Sequence, residues 1–489
     1  MIPVLLIVIP LLAGLAGFFL KSSRASKNWS LMVSLATMAV AVGGLTFATG
    51  DPNLKFDAEW VNAINSRFSL GLDGMGKILT LLTAISFPVI FISTWSDEYS
   101  QPGKFYALML LSQAGLMGVF VSTDALLFYF FWELALIPVY FLSSQWGGEK
   151  RIQATFKFFI YTFIGSLLML VGIIFLYFHT KDHSFSIRSF YDVHNYISQQ
   201  DQGWLFWLFF IAFAIKMPIF PFHTWQPDTY EQAPTAVTMV LSGIMVKMGL
   251  FGLIRWLAPV LPIGTWAWGD TVSVLCIIGM LYASLIAIRQ NDLKRLVAYS
   301  SIAHMGLMCL AVFATTGIGM QGVMIQMFNH GINIIGLWIV VALIERQFHT
   351  RKLSELGGLA QTAPSLAIML VIIALANIAL PLTNAFVGEF MMFTGVFTST
   401  ATQYSVVFTV TAAISTILSA VYMLNMIQKV FFGNTNSLTV RANDLAFNEK
   451  IVLAVLVLLI IVVGVFPGPV INLTRETVEV ILNKMSYKY

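Results

Sequence analysis

The chain has 489 residues; 58% are hydrophobic, only 10% are charged, and the formal net charge is +4. A soluble chain carries about 25% charged residues, so this composition excludes a water-soluble globular enzyme. A charge of +4 gives no reason to expect nucleic acid as a partner.

The first stretch, MIPVLLIVIPLLAGLAGFFL, lacks a basic leader and reads as a retained membrane span. From there, apolar runs of span length recur near 2–20, 28–49, 75–95, 105–122, 124–145, 154–178, 204–222, 235–257, 270–288, 295–315, 320–345, 364–398, 403–428 and 451–471. Each approaches the ~20 residues a bilayer crossing needs. The pattern predicts an all-α polytopic membrane protein with about fourteen transmembrane helices. The polar segments 50–67, 179–203 and 432–450 read as loops or short surface helices. Cys276 and Cys309 fall in separate apolar runs and read as small core residues. There is no dinucleotide glycine pattern, phosphate-cradling loop or cluster of metal ligands, so no cofactor or metal is expected in this chain.

Basic residues mark alternate loops. Lys21, Arg24, Lys27, Lys104, Lys150, Arg151, Arg289, Lys294, Arg295, Arg346, Arg351, Lys352, Lys429, Arg441 and Lys450 share one side. The other side holds few: Lys55, Arg67, Lys181, Arg188 and Arg255. The positive-inside bias places the first set in the cytoplasm and both termini outside. Arg475, Lys484 and Lys488 in the C-terminal tail run against it.

Two spans are interrupted, one at Pro218 and Pro221, the other at Pro381. Proline removes a backbone donor and clashes with the preceding turn. Each break falls fourth in a group of five spans, 105–257 and 258–430, preceded by residues 1–104 and followed by 431–489. An odd number of spans per group forces opposite orientations, so the pattern points to two inverted five-helix repeats, each with a broken helix and a central site.

Six ionisable residues lie inside six of these spans: Glu133, Lys216, Lys247, His304, His330 and Glu389. Charge at membrane depth costs about 2.5–3.5 kcal/mol per group on insertion scales, which makes each a functional candidate. Burial and a nearby opposite charge move proton affinities in opposite directions. A Glu133–Lys216 pair that closes and opens could therefore hold and release a proton, and histidine suits the middle of such a relay. Structural readings stand beside these: an ion pair pinning helices, Lys247 bonding free carbonyls, satisfied core histidines, Glu389 capping the half-helix after Pro381. Lys77 and Lys157 read as interfacial, Asp124 as a helix cap, and His223, Asp228 and Glu231 as loop, cap or proton-uptake groups.

The segments FWELALIPVYFL, KMPIFPFHTWQPDTYEQAP, VLSGIMVKMGLFGLIR, SSIAHMG, NHGIN and FVGEF together resemble the antiporter-like subunits of respiratory complex I, the proton-translocating NADH–quinone oxidoreductase. The resemblance covers nearly the whole chain. Glu389 in the second broken span, where the L and N branches have lysine, and the short segment after the last span resemble the M (chain 4) branch. By that resemblance Glu133 and Lys216 form the ion pair, Lys247 is the central lysine, His304 and His330 connect the axis, and Glu389 is the terminal proton group. Lys216 precedes its prolines whereas Glu389 lies well after Pro381, so the two are not at equal offsets from their breaks.

The resemblance implies a proton-pumping membrane-arm subunit with no redox centre of its own. Flavin, iron–sulfur clusters and quinone are then expected in partner subunits. Expected partners are the L and N antiporter-like subunits and membrane lipids, in the inner (cytoplasmic) membrane. The alternatives are a subunit of an Mrp-type sodium/proton antiporter or membrane-bound hydrogenase, and a structural anchor whose charges only pin helices.

Overall fold

Residues 1–486 are described by a computed structural model; residues 487–489, Lys488 among them, lie outside the described part. The chain starts with α1 (Ile2–Gly17) and α2 (Ser23–Leu45), then a hairpin of β1 (Lys55–Val61) and β2 (Ser66–Gly71). Next come α3 (Gly74–Ser93), α4 (Pro102–Val121), α5 (Ala125–Trp146), α6 (Arg151–His179) and the short α7 (Ile187–Asp192). The first broken pass is α8 (Gln199–Lys216) and α9 (Trp225–Gln232). The following pass is continuous from Thr235 to Leu257. It comprises α10 (Thr235–Val240) and α11 (Val246–Gly252), with π-helical turns at Leu241–Met245 and Leu253–Leu257. Then follow α12 (Pro262–Arg289), α13 (Leu293–Phe313), α14 (Gly317–Phe348) and a single turn, α15 (Leu359–Thr362). The second broken pass is α16 (Pro364–Asn377) and α17 (Asn384–Phe397), and the chain ends with α18 (Ser405–Phe431), α19 (Phe447–Val465) and α20 (Gly468–Met485).

Among the described residues, eleven helices are long and apolar enough to cross a membrane; α1 and the two broken passes bring the count there to fourteen. The inner passes are sheathed by protein: Thr235–Leu257 is wholly buried, and α13 and α14 nearly so. The outer helices α2, α6, α18 and α19 instead turn apolar side chains outward, such as Phe156, Val171, Ile417 and Leu458. Lipid offers backbone groups no hydrogen bonds, so interruptions belong among inner helices where other groups can satisfy them.

The two breaks share one backbone pattern. Met217 N–H bonds the Phe213 carbonyl at 2.9 Å and Ile219 N–H bonds that of Ala214 at 2.9 Å; Ile378 bonds Ala374 at 3.1 Å and Leu380 bonds Leu375 at 3.0 Å. Lys216 and Asn377 hold the same place in this pattern, each being the last helical residue before its break. A second detail also recurs. Ala125 and Ile187 bond Phe185 and Thr123 at the hairpin face, while Leu293 and Leu353 bond Arg351 and Asn291 at the basic-loop face. The same paired bridge thus occurs twice along the chain.

Two polar stretches differ from expectation. Segment 50–67 contributes to a hairpin, because β1 and β2 pair in antiparallel register, from Lys55 opposite Gly71 to Val61 opposite Ser66, and these residue pairs satisfy the backbone that a loop would expose. The segment after the last span is an amphipathic helix, α20, burying Thr474, Thr477, Val478, Ile481 and Met485 on one face. It lies across α3 and α14, with Thr477 Oγ1 accepting from Gly74 N–H at 3.0 Å. Met1 is bonded to the Asn53 carbonyl beside the hairpin, and Lys484 of α20 pairs with Asp192, so the N-terminus and α20 share a face.

Candidate functional site

Four of the six predicted residues form one line through the buried centre. Lys247 lies between the two π-helical turns of its pass. Such a turn widens the helix by a residue and often marks a functional position. The Lys247 ammonium donates to the Ser242 carbonyl at 3.0 Å and lies 2.8 Å from His330 Nδ1. The other ring nitrogen, His330 Nε2, is 3.3 Å from Ser301 Oγ. The His330 and His304 rings have centroids 5.6 Å apart, and His304 Nδ1 is 3.2 Å from Glu389 Oε1. Lys247 is 0% exposed, His330 2%, Glu389 5% and His304 8%.

These distances constrain the charges. Two cations 2.8 Å apart would repel by about 6 kcal/mol at an effective dielectric near 20, so Lys247 and His330 hold at most one extra proton between them. With the proton on Lys247, His330 accepts at Nδ1 and donates from Nε2 to Ser301. With it transferred, the imidazolium donates from Nδ1 back to the amine and from Nε2 to Ser301, and only after the Nε2 proton has left can Ser301 donate to Nε2. A histidine bonded on both nitrogens can thus take a proton on one side and release one on the other. Beyond it, His304 Nε2 has no hydrogen-bond partner among the described residues. A cavity of about 10 Å³ lies against His304, Glu389, Ser415 and Ser419, room for about one water molecule.

The Glu133–Lys216 pair is not closed. Lys216 Nζ and Glu133 Oε1 both lack a hydrogen-bond partner among the described residues. Lys216 instead faces the ring of Trp132 at 5.4 Å and that of Phe158 at 5.9 Å, a cation–π seat that partly replaces its lost hydration. The physical reason is helix phase. Glu133 follows Trp132 on α5, and it is the Trp132 indole that lies against the Lys216 ammonium, while Glu133 is half-buried. No hydrogen bond joins Lys216 to Lys247 among the described residues, although their helices touch closely. A side chain at Gly249, two residues after Lys247, would meet the Phe213 carbonyl at 2.6 Å and the Met217 nitrogen at 2.9 Å.

Glu389 is the sixth residue of α17 and is bonded to His304, so it does not cap that half-helix. The residue in the position of Lys216 is Asn377, which donates to Ser300 Oγ at 3.0 Å; Tyr422 donates to the same oxygen at 3.0 Å. Asp124 is a cap, accepting from Leu126 and Leu127 N–H. Lys77, in the first turn of α3, is buried against protein, its ammonium held by the Phe47 carbonyl at 2.6 Å. Lys157, Asp228 and Glu231 join ion pairs at the basic-loop face, and His223 is buried against Phe220 and Tyr282. Ser301 and the Trp132–Phe158 seat are site features that sequence reasoning missed. A clue to Ser301 was its spacing three residues before His304, which puts both on one helix face.

The sequence profile of the NADH:quinone oxidoreductase/Mrp antiporter transmembrane family matches residues 122–415, more than half of the chain. Among curated proteins, the chain is similar to NADH-quinone oxidoreductase subunit M of Rickettsia bellii, 36% identical over 458 residues, covering 93% of this chain and 91% of the relative. It is also similar to F(420)H(2) dehydrogenase subunit M of Methanosarcina mazei, 34% identical over 99% of both chains. Among solved structures, a chain of respiratory complex I from Thermus thermophilus with bound NADH matches over 100% of both chains, with a TM-score of 0.91 and 26% identity.

Proposed function

This chain belongs to the NADH:quinone oxidoreductase/Mrp antiporter family of membrane subunits, and on that premise we propose that its line of Lys247, His330, His304 and Glu389 carries protons across the bilayer. The chain is an antiporter-like, multi-pass membrane-arm subunit of the M type in a proton-pumping NADH–quinone oxidoreductase, working with other membrane-arm subunits. The observation that carries the proton path is the series from Lys247 to Glu389: polar contacts of 2.8 and 3.2 Å at its ends, joined by two histidine rings with centroids 5.6 Å apart.

Lys216 and Glu133 form the other end of the path. When the pair closes, the carboxylate holds the proton on Lys216; in the open arrangement the ammonium rests on aromatic rings, which bind it less firmly, and the proton is free to move toward Lys247. Moving one proton against 100 mV takes about 2.3 kcal/mol. An ion pair near 4 Å is worth about 4 kcal/mol at an effective dielectric of 20, so opening and closing the pair has the required range. Electron transfer runs through partner subunits that hold flavin, iron–sulfur clusters and quinone. The L and N antiporter-like subunits are the neighbours, with lipid against the exposed apolar faces. The basic loops face the cytoplasm, the inner membrane holds the chain, and both termini lie outside.

The similarity to an F(420)H(2) dehydrogenase subunit favours a second reading of the electron donor alone: the same proton path could serve a complex fed by a different hydride carrier. Co-purification with flavin and iron–sulfur proteins, and the donor they oxidise, distinguishes these from a stand-alone sodium/proton antiporter. The path itself is tested with Lys216→Ala and Glu133→Ala in the assembled complex in sealed vesicles. Both are expected to depress proton pumping. Normal pumping with normal assembly would refute the path, and lost assembly with normal pumping by what assembles would favour the anchor reading.

A further inference from the structure

The half-helix α9 is tied to the end of α8 by one side chain. The Trp225 indole N–H donates to the Ile215 carbonyl at 2.9 Å, fully buried. Ile215 precedes Lys216, and its carbonyl lies in the last turn of a helix that ends at Lys216, so it has lost the N–H a continuing helix would supply. The Trp225 ring lies 4.9 Å from that of Phe158, and Phe158 is one of the two rings seating the Lys216 ammonium. Trp225 thus touches Lys216's surroundings twice, through the backbone that carries it and through the ring beneath it.

The same half-helix is held from the opposite direction. Lys157 on α6 donates to the Thr224 carbonyl, immediately before Trp225, at 2.8 Å and pairs with Asp228 at 2.8 Å. Asp228 and Glu231, both on α9, share Arg295 of α13 at 3.2 and 2.9 Å. Arg351 then joins Glu231 at 3.4 Å to Asp292 at 2.9 Å and to Glu345. Lys157, Asp228 and Glu231 belong to the first five-pass group, and Arg295, Arg351, Asp292 and Glu345 to the second. Each pair alone is a half-exposed ion pair worth little, but a network that fixes one short helix by three cationic side chains, Lys157, Arg295 and Arg351, is a positional constraint.

We propose that Trp225 is a positioning residue for Lys216, and that the ion-pair network uses α9 and Trp225 to transmit the arrangement of the second five-pass group to the Lys216 seat. A shift of α13 against α9 pulls on Asp228 and Glu231, moves Trp225, and slides the end of α8 along the Trp132 and Phe158 rings. That displacement decides whether Lys216 can meet Glu133. The inference rests on Lys216 being a proton carrier, as read above.

Trp225→Phe keeps a ring against Phe158 and removes the N–H. In the assembled complex in proteoliposomes it is expected to lower proton-coupled turnover about fivefold, the effect of one buried hydrogen bond, with the KM for quinone unchanged. In a Lys216→Ala background the same change is expected to add no further loss, because it acts only through that lysine. Arg295→Gln is expected to give a loss of the same kind, and Arg295→Lys to restore most of it. Wild-type turnover in Trp225→Phe, or an equal loss in both backgrounds, overturns the proposal. If Trp225→Phe does not assemble, the Arg295 variants decide: loss with rescue supports it, and no loss overturns it. Lys216→Ala with normal pumping would instead sink the proton-path reading itself, whereas a defective Lys216→Ala beside a normal Trp225→Phe sinks this inference alone.

Discussion

His330→Gln tests the central step of the path. Glutamine can present a carbonyl oxygen where His330 Nδ1 now lies 2.8 Å from the Lys247 ammonium, so the buried cation keeps an acceptor and the packing of α14 against α13 is retained. The amide cannot accept a proton on one side and release another on the other. The forward step then loses a charge-assisted hydrogen bond to a titratable partner, worth about 1.5–3 kcal/mol. That corresponds to a fall of about 10- to 100-fold in the rate through this line. The assay is donor-driven acidification of sealed vesicles carrying the assembled complex, read with a pH-sensitive dye, beside electron transfer measured with an uncoupler. Assembly on a native gel is expected to be normal, protons moved per electron to fall, and uncoupled electron transfer to persist. His330→Leu removes the acceptor as well and leaves the Lys247 ammonium with only the Ser242 carbonyl, so it is expected to impair assembly too. A fully assembled His330→Gln complex with wild-type rate and wild-type protons per electron would refute the reasoning.

Gly74→Val is expected to lift α20 from the bundle, because a Cβ at that position would lie 2.2 Å from the Leu473 carbonyl; a cost of about 1–3 kcal/mol should appear as faster hydrogen exchange in α20, and unchanged exchange would contradict the packing. The Arg67 guanidinium, bonded to Asp57 at 2.9 and 2.5 Å, holds that carboxyl below its ordinary value of 3.8. The pair's contribution to the hairpin is therefore fully present above that value and lost as pH falls through the lowered one. Trp60 of β1 reports on this, and its fluorescence between about pH 6 and about pH 3 should change in the parent and lose that change in Asp57→Asn.

The passes and both breaks were legible in the sequence because the bilayer sets their length and proline sets their interruption. Buried charges stand out against that background for the same reason: Glu133, Lys216, Lys247, His304, His330 and Glu389 are costly in hydrocarbon wherever the helices pack. Linear order carries no such constraint on who meets whom. Lys247 meets His330 from 83 residues away, and His304 meets Glu389 from the next broken pass, while no hydrogen bond joins Lys216 and Glu133, the pair that residue chemistry favours most, among the described residues. The match of Lys216 to Asn377 rather than Glu389 rests on backbone bonds around each break, which no offset from a proline displays.

Locally, the hairpin and α20 escaped notice because their residues are polar on one side and short in span, so neither resembles a crossing nor a soluble domain. Membrane solvation acts on each helix by itself, through its own twenty or so residues, and so the number of passes and the identity of their costly side chains were already determined by the chain alone. Helix rotation and contact are fixed by packing among neighbours distant in sequence, such as the close approach of Gly249 to the end of α8. Only the folded bundle therefore decided which of those side chains touch.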